Sequence, residues 1–171
     1  MRWVALLRGV NLGARNKVPM AELRVLLEDA GYGDVRTYIA SGNVLLDGPA
    51  GRKRLGSDLE RLVLDGFDVT TAVILRKPQE LAATVEAHPF DHPSETHVAF
   101  LAKRPVKAAA ARLQELDSDA VLADAELYLR LPRGVHGSRL SNARIESLLG
   151  VPATLRNWRT VVALAELAAG A

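Results

Sequence analysis

Cysteine is absent from the 171 residues. That excludes a disulfide framework, a thiolate zinc site and a cysteine nucleophile. Long apolar runs are missing too, none approaching the roughly 18 residues that a membrane-spanning helix needs. The opening Met1-Arg2-Trp3-Val4 passes straight into a strand-like run. It has neither the longer apolar stretch nor the small-residue cleavage site of a secretory leader, so a cytoplasmic location is the expectation. There is no strong excess of either charge: 22 basic residues stand against 20 acidic ones, a net charge of +2. This mild basicity permits an anionic partner without supplying the basic stripe of a tight nucleic-acid binder. What is left is an ordinary globular composition, 49% apolar and 25% charged. A chain of this length and make-up buries roughly 70% of its unfolded surface.

Within that composition one block order occurs twice. From Trp3 to Leu75 the apolar pattern reads strand, helix, strand, strand, helix, strand. After a break rich in proline and histidine it starts again near His97. The pattern predicts an α+β fold of two ferredoxin-like (βαββαβ) halves with antiparallel sheets, plus a C-terminal helix. The halves fall at approximately 1–76 and 96–171, joined by a helix and linker at 77–95.

In the first half, Trp3 to Leu7 is a continuous apolar run typical of a central strand. A polar, Gly-containing loop follows through Arg8, Asn11, Gly13, Arg15, Asn16 and Lys17. Pro19 suits the first turn of a helix whose apolar side is Leu23, Leu26, Leu27 and Ala30, and Gly31 suits its end. Strands at 35–39 and 44–46 are joined by Ser41-Gly42-Asn43, in which Gly or Asn at positive φ makes the turn. Ser57 and Glu60 have capping-box spacing, so the second helix has two candidate starts, Arg52 and Ser57. A fourth strand is expected at 69–75.

In the second half, strands are expected at 98–101, 121–122, 127–131 and 153–156. A helical stripe separates the first two, and another, ending at Gly150, precedes the last. Asn157 is a candidate N-cap for the terminal helix, with Trp158 as its core anchor.

Three places gather polar groups. The first is the 8–17 loop, where helix-start amides and the charges of Arg8 and Lys17 suit an anion. Its glycines nonetheless match neither the nucleotide P-loop nor the dinucleotide fingerprint. The second is the Ser41–Asn43 turn, whose serine has no base nearby in sequence and is weak as a nucleophile. The third is Arg156-Asn157, ahead of the last helix. The cluster His88, Asp91, His92, Glu95 and His97 fits no familiar metal-ligand spacing and is interrupted by prolines, so no metal and no cofactor are expected. An RNA-stacking platform needs aromatic rings on the central strands, and the third strand, 44–46, has none.

Several segments together resemble one family, the bacterial proteins grouped as domain of unknown function 1697. They are Leu6-Leu7-Arg8-Gly9-Val10-Asn11-Leu12-Gly13, Asn16-Lys17-Val18-Pro19-Met20, Val35 to Val44, Pro89-Phe90, Leu149-Gly150 and Ala153 to Val161. Leu155 and Ala40 depart from the common Thr and Gln. The resemblance implies two intertwined ferredoxin-like subdomains and brings no reaction, cofactor or substrate.

The expectation drawn from the residues is a small anionic ligand, a nucleotide among the candidates, held in a cleft between the halves. Arg8, Asn11, Lys17, Ser41, Asn43, Arg156 and Asn157 are the residues expected to hold it. The alternative is a non-catalytic module that binds RNA or a protein, including a second copy of itself, so both monomer and homodimer stay open. No nucleophile–base or acid pair is at a contact-making spacing, and whether the protein is an enzyme stays open as well.

Overall fold

The computed structural model describes residues 1–116 and 119–170. Its elements follow the duplicated order. The first half contains β1 (Arg2–Leu7), α1 (Met20–Asp29), β2 (Gly33–Tyr38), β3 (Asn43–Asp47), α2 (Arg52–Phe67) and β4 (Val73–Arg76). A helix α3 (Pro78–Glu86) and a short 3-10 turn at Pro93–Glu95 come next. The second half contains β5 (Thr96–Leu101), α4 (Lys107–Leu116), β6 (Ala120–Ala123), β7 (Glu126–Arg130), α5 (Asn142–Leu149), β8 (Ala153–Asn157) and α6 (Trp158–Ala169). The strands form two four-stranded antiparallel sheets, ordered β2-β3-β1-β4 and β6-β7-β5-β8. This is the two ferredoxin-like halves with a C-terminal helix that the periodicity predicts.

The chain divides into two compact units, one of Met1–Glu80 with the residues from 166 onward, the other of Leu81–Ala165. In the first unit Trp3, Ala5 and Leu7 alternate along one face of β1. They pack with Leu23 and Leu27 of α1 and Leu55, Leu59 and Val63 of α2. Each of these leucines contributes about 1.5–3 kcal/mol by leaving water. The second unit repeats the scheme with Ala99 and Leu101 of β5, Leu127 and Leu129 of β7, and Ile145 and Leu149 of α5. Tyr128, on the opposite face of β7, donates its hydroxyl to the Thr84 carbonyl of α3 at 2.8 Å.

The duplication extends to register. Val4 and Ala5 pair with Arg76 and Leu75, as Val98 and Ala99 pair with Arg156 and Leu155. In each unit a glutamate of the second helix accepts the first amide of the last strand: Glu60 from Val73 at 2.9 Å, Glu146 from Ala153 at 2.8 Å.

Several sequence expectations are corrected. The second helix starts at Arg52 behind Gly51, with Ser57 inside it. Glu60 is turned to the Val73 amide and does not cap a helix start. β4 begins at Val73, not Val69, because Thr71 turns its hydroxyl onto the Arg8 carbonyl at 2.8 Å and interrupts regular pairing. Pro19 stands at the N-cap of α1, one residue outside it. Asn43 belongs to β3, and the left-handed positions of the 39–43 turn are Ile39 (φ 50°) and Gly42 (φ 80°).

Candidate functional site

The loop after β1 is fixed by its own composition. Gly9, Asn11, Gly13 and Asn16 all lie at positive φ, between 51° and 66°. Glycine reaches that region without strain, and asparagine reaches it at lower cost than other residues. The Asn11 side chain then ties the loop down. Its Nδ2 donates to the carbonyls of Val18 (2.8 Å) and Ala40 (2.7 Å), and its Oδ1 accepts the Val18 amide at 2.9 Å. Asn16 Nδ2 donates to Gly9 O at 3.0 Å. Both asparagines therefore spend their amides on backbone.

An open hollow of about 540 Å³ lies beside this loop, in the first unit. Asn11, Lys17, Thr37, Ile39, Ala40 and the start of α1 line it. Lys17 and Ile39 are exposed there, and Ile39 holds a left-handed backbone that a β-branched side chain rarely adopts. No side chain caps α1, because its N-cap is Pro19. The amides of its first turn and the Lys17 ammonium together give the hollow a positive end.

The other expected residues are distributed as follows. Arg8 is half-buried; its amide donates to Thr71 Oγ1 (3.1 Å) and the Ala72 carbonyl (3.0 Å). Asn43 is fully buried and donates from Nδ2 to the Tyr38 carbonyl and to Ser41 Oγ, both at 3.0 Å. Gly42 is required by space as well as by φ, since a Cβ there would meet Val10 at 2.5 Å and Leu7 at 2.9 Å.

Arg156 and Asn157 lie in the second unit. Asn157 accepts the Thr160 amide at 2.9 Å, the N-cap role expected of it. Arg156 is buried and donates to Thr154 Oγ1 and the Leu155 carbonyl, both at 2.8 Å. Burial pulls its guanidinium down to about 10, which leaves it charged at neutral pH.

Among the described residues no cluster of three His, Asp or Glu side chains is arranged to hold a metal. His88 instead pairs with Thr96 Oγ1 at 2.9 Å and stacks on Trp158 at 4.0 Å. The central-strand aromatics Trp3, Phe100 and Tyr128 are 0–1% exposed, so they offer no platform for stacked bases. No helix among the described residues is long and apolar enough to cross a membrane.

One basic group lies outside the residues expected from the sequence. Arg133 and Arg139 stand at the two ends of a Gly-containing loop after β7, and with Arg130 they line a smaller hollow. The run Pro132-Arg133-Gly134 followed by Gly137-Ser138-Arg139 was the available signal.

Two antiparallel sheets of ferredoxin-like order, each carrying its own helices, define the class as an α+β protein with a duplicated unit. The chain belongs to the DUF1697 family, described as "Protein of unknown function", whose profile matches residues 1–128. Among solved structures it is similar to the conserved bacterial protein SP0830 from Streptococcus pneumoniae. That likeness has 23% identity and a TM-score of 0.71 over 98% of each chain, and it speaks for the fold. No curated protein sequence matches the chain.

Proposed function

We propose that the protein binds a small anionic ligand at the hollow between the 8–17 loop and the start of α1. The observation that carries this reading is Lys17, an exposed cation at a hollow that also contains an uncapped helix start. An ammonium and free helix amides are complementary to phosphate or carboxylate. At about 540 Å³ the hollow is within the roughly 300–1,000 Å³ of small-molecule sites, so a nucleotide-sized ligand fits. Asn11 acts here as a positioning residue, holding the Val18 and Ala40 backbone that forms the wall.

The test is calorimetric titration with nucleoside monophosphates and diphosphates at low salt. Lys17→Ala should weaken the tightest of them about tenfold, the order of one lost charge-assisted bond, and Lys17→Arg should restore most of the affinity. Equal affinity in wild type and Lys17→Ala would overturn the reading, as would the absence of binding to any of these ligands.

A further inference from the structure

We infer that the second unit carries a separate binding site for a phosphomonoester group, built by Arg130, Arg133 and Arg139. These three guanidiniums line one hollow of about 220 Å³ together with Ser138, Gly134 and, among the described residues, one carboxylate, Asp119. Asp119 and Glu95 both face Arg130, so the positive excess in this small space is carried by Arg133 and Arg139.

The three arginines differ in how far they are committed. Arg130 is anchored: its Nε donates to Glu95 Oε2 at 2.9 Å, and its NH1 lies 4.0 Å from Asp119. It is therefore a fixed wall. Arg133 and Arg139 are exposed and form no ion pair among the described residues. Their planar, five-donor heads match the oxygens of a phosphate in pairs, which is the use to which unpaired arginines facing one hollow are best suited.

The loop is shaped to the same end. Gly134 lies at φ 70° and donates its amide to the Leu131 carbonyl at 2.9 Å, which bends the chain directly after Arg133. Ser138 accepts the Leu140 amide on Oγ at 2.9 Å. Its hydroxyl hydrogen is thereby left to donate to an anion, as a serine oxygen both accepts and donates.

Size selects the ligand class. A hollow of about 220 Å³ is below the roughly 300–1,000 Å³ that encloses a whole drug-sized ligand. It accepts the phosphate head and leaves the remainder of the molecule outside. A terminal phosphate with a doubly charged head is preferred over the singly charged diester of a nucleic-acid backbone.

The experiment titrates the full chain with phenyl phosphate at low salt, followed by calorimetry. Separate arms use inorganic phosphate and a short single-stranded RNA that lacks terminal phosphates. Wild type should bind phenyl phosphate and inorganic phosphate with similar affinity, because the head carries recognition. R133A/R139A should weaken both at least tenfold with an unchanged far-UV spectrum, since both side chains are exposed. R133K/R139K should recover part of the loss, and the R133A/R139A loss should be as large in a Lys17→Ala background as in the wild type. Undiminished affinity in R133A/R139A would overturn the proposal. So would an equal loss in Lys17→Ala, which assigns the phosphate to the first unit, or RNA binding that phenyl phosphate fails to displace.

Discussion

Three residues show how much of the fold depends on single groups. Gly42 has both a left-handed φ and no space for a Cβ. Gly42→Ala should cost roughly 2–4 kcal/mol, combining backbone strain with overpacking, as measured by the denaturant midpoint. Asn11→Ala removes three hydrogen bonds to backbone and should cost roughly 2–3 kcal/mol at about 1 kcal/mol each. The Val18 amide should then exchange with solvent much faster. Tyr128 titrates in a direction that can be checked. Burial, with a smaller effect from Glu126, pushes its hydroxyl up to about 12, whereas in the unfolded chain the phenol ionises near 10. The folded state holds this proton more tightly, so the stability it gives is complete below pH 10 and is lost as pH rises from 10 to 12. Tyr128→Phe should cost about 1 kcal/mol near neutral pH through the lost hydrogen bond to the Thr84 carbonyl, and it should flatten the alkaline limb of a stability–pH curve.

Among the elements, α2 is the least expected. Its first turn is Arg52-Lys53-Arg54, with no acidic residue and no side-chain cap. Positive charge there opposes the helix dipole. The capping-box spacing of Ser57 and Glu60 offers a better local start, and local chemistry alone would choose it. The longer helix wins because Leu55 joins Leu59 and Val63 in the core, and because Glu60 is used by the Val73 amide. Burying a leucine outweighs a cap of about 1 kcal/mol. Lys53→Glu should accordingly raise stability by about 0.3–1 kcal/mol, an effect that shrinks as salt is added; thermal melts at two ionic strengths measure it. The loops were less legible than the helices. Apolar periodicity marks buried faces, but it carries no information about which loop side chains turn inward. Asn11 and Asn43 are expected ligand groups in the sequence; in the structure the Asn11 amide holds backbone, and Asn43 donates to the Tyr38 carbonyl and to Ser41 Oγ. Arg133 and Arg139 lie outside the periodic segments, where the apolar pattern carries no signal.

For the molecule as a whole, the duplicated architecture extends to chemistry. Leu75-Arg76 and Leu155-Arg156 occupy equivalent register positions, both arginines are buried, and each donates NH1 to the carbonyl of the preceding leucine. A buried guanidinium costs desolvation that an apolar chain of similar length does not. Arg156→Ala should therefore destabilise by roughly 2–5 kcal/mol, chiefly through the cavity. Arg156→Met should be clearly milder, and denaturant titration of the two variants decides. The order of strands and helices, their repetition and the two apolar faces were determined by the sequence alone, because burial imposes periods of 2 and 3.6 that any reader of the chain can count. Tertiary structure decided which polar groups became scaffold and which stayed available. A side chain's hydrogen-bond partners come from residues distant in sequence, as Ala40 does for Asn11, and only the folded chain brings them within 3 Å.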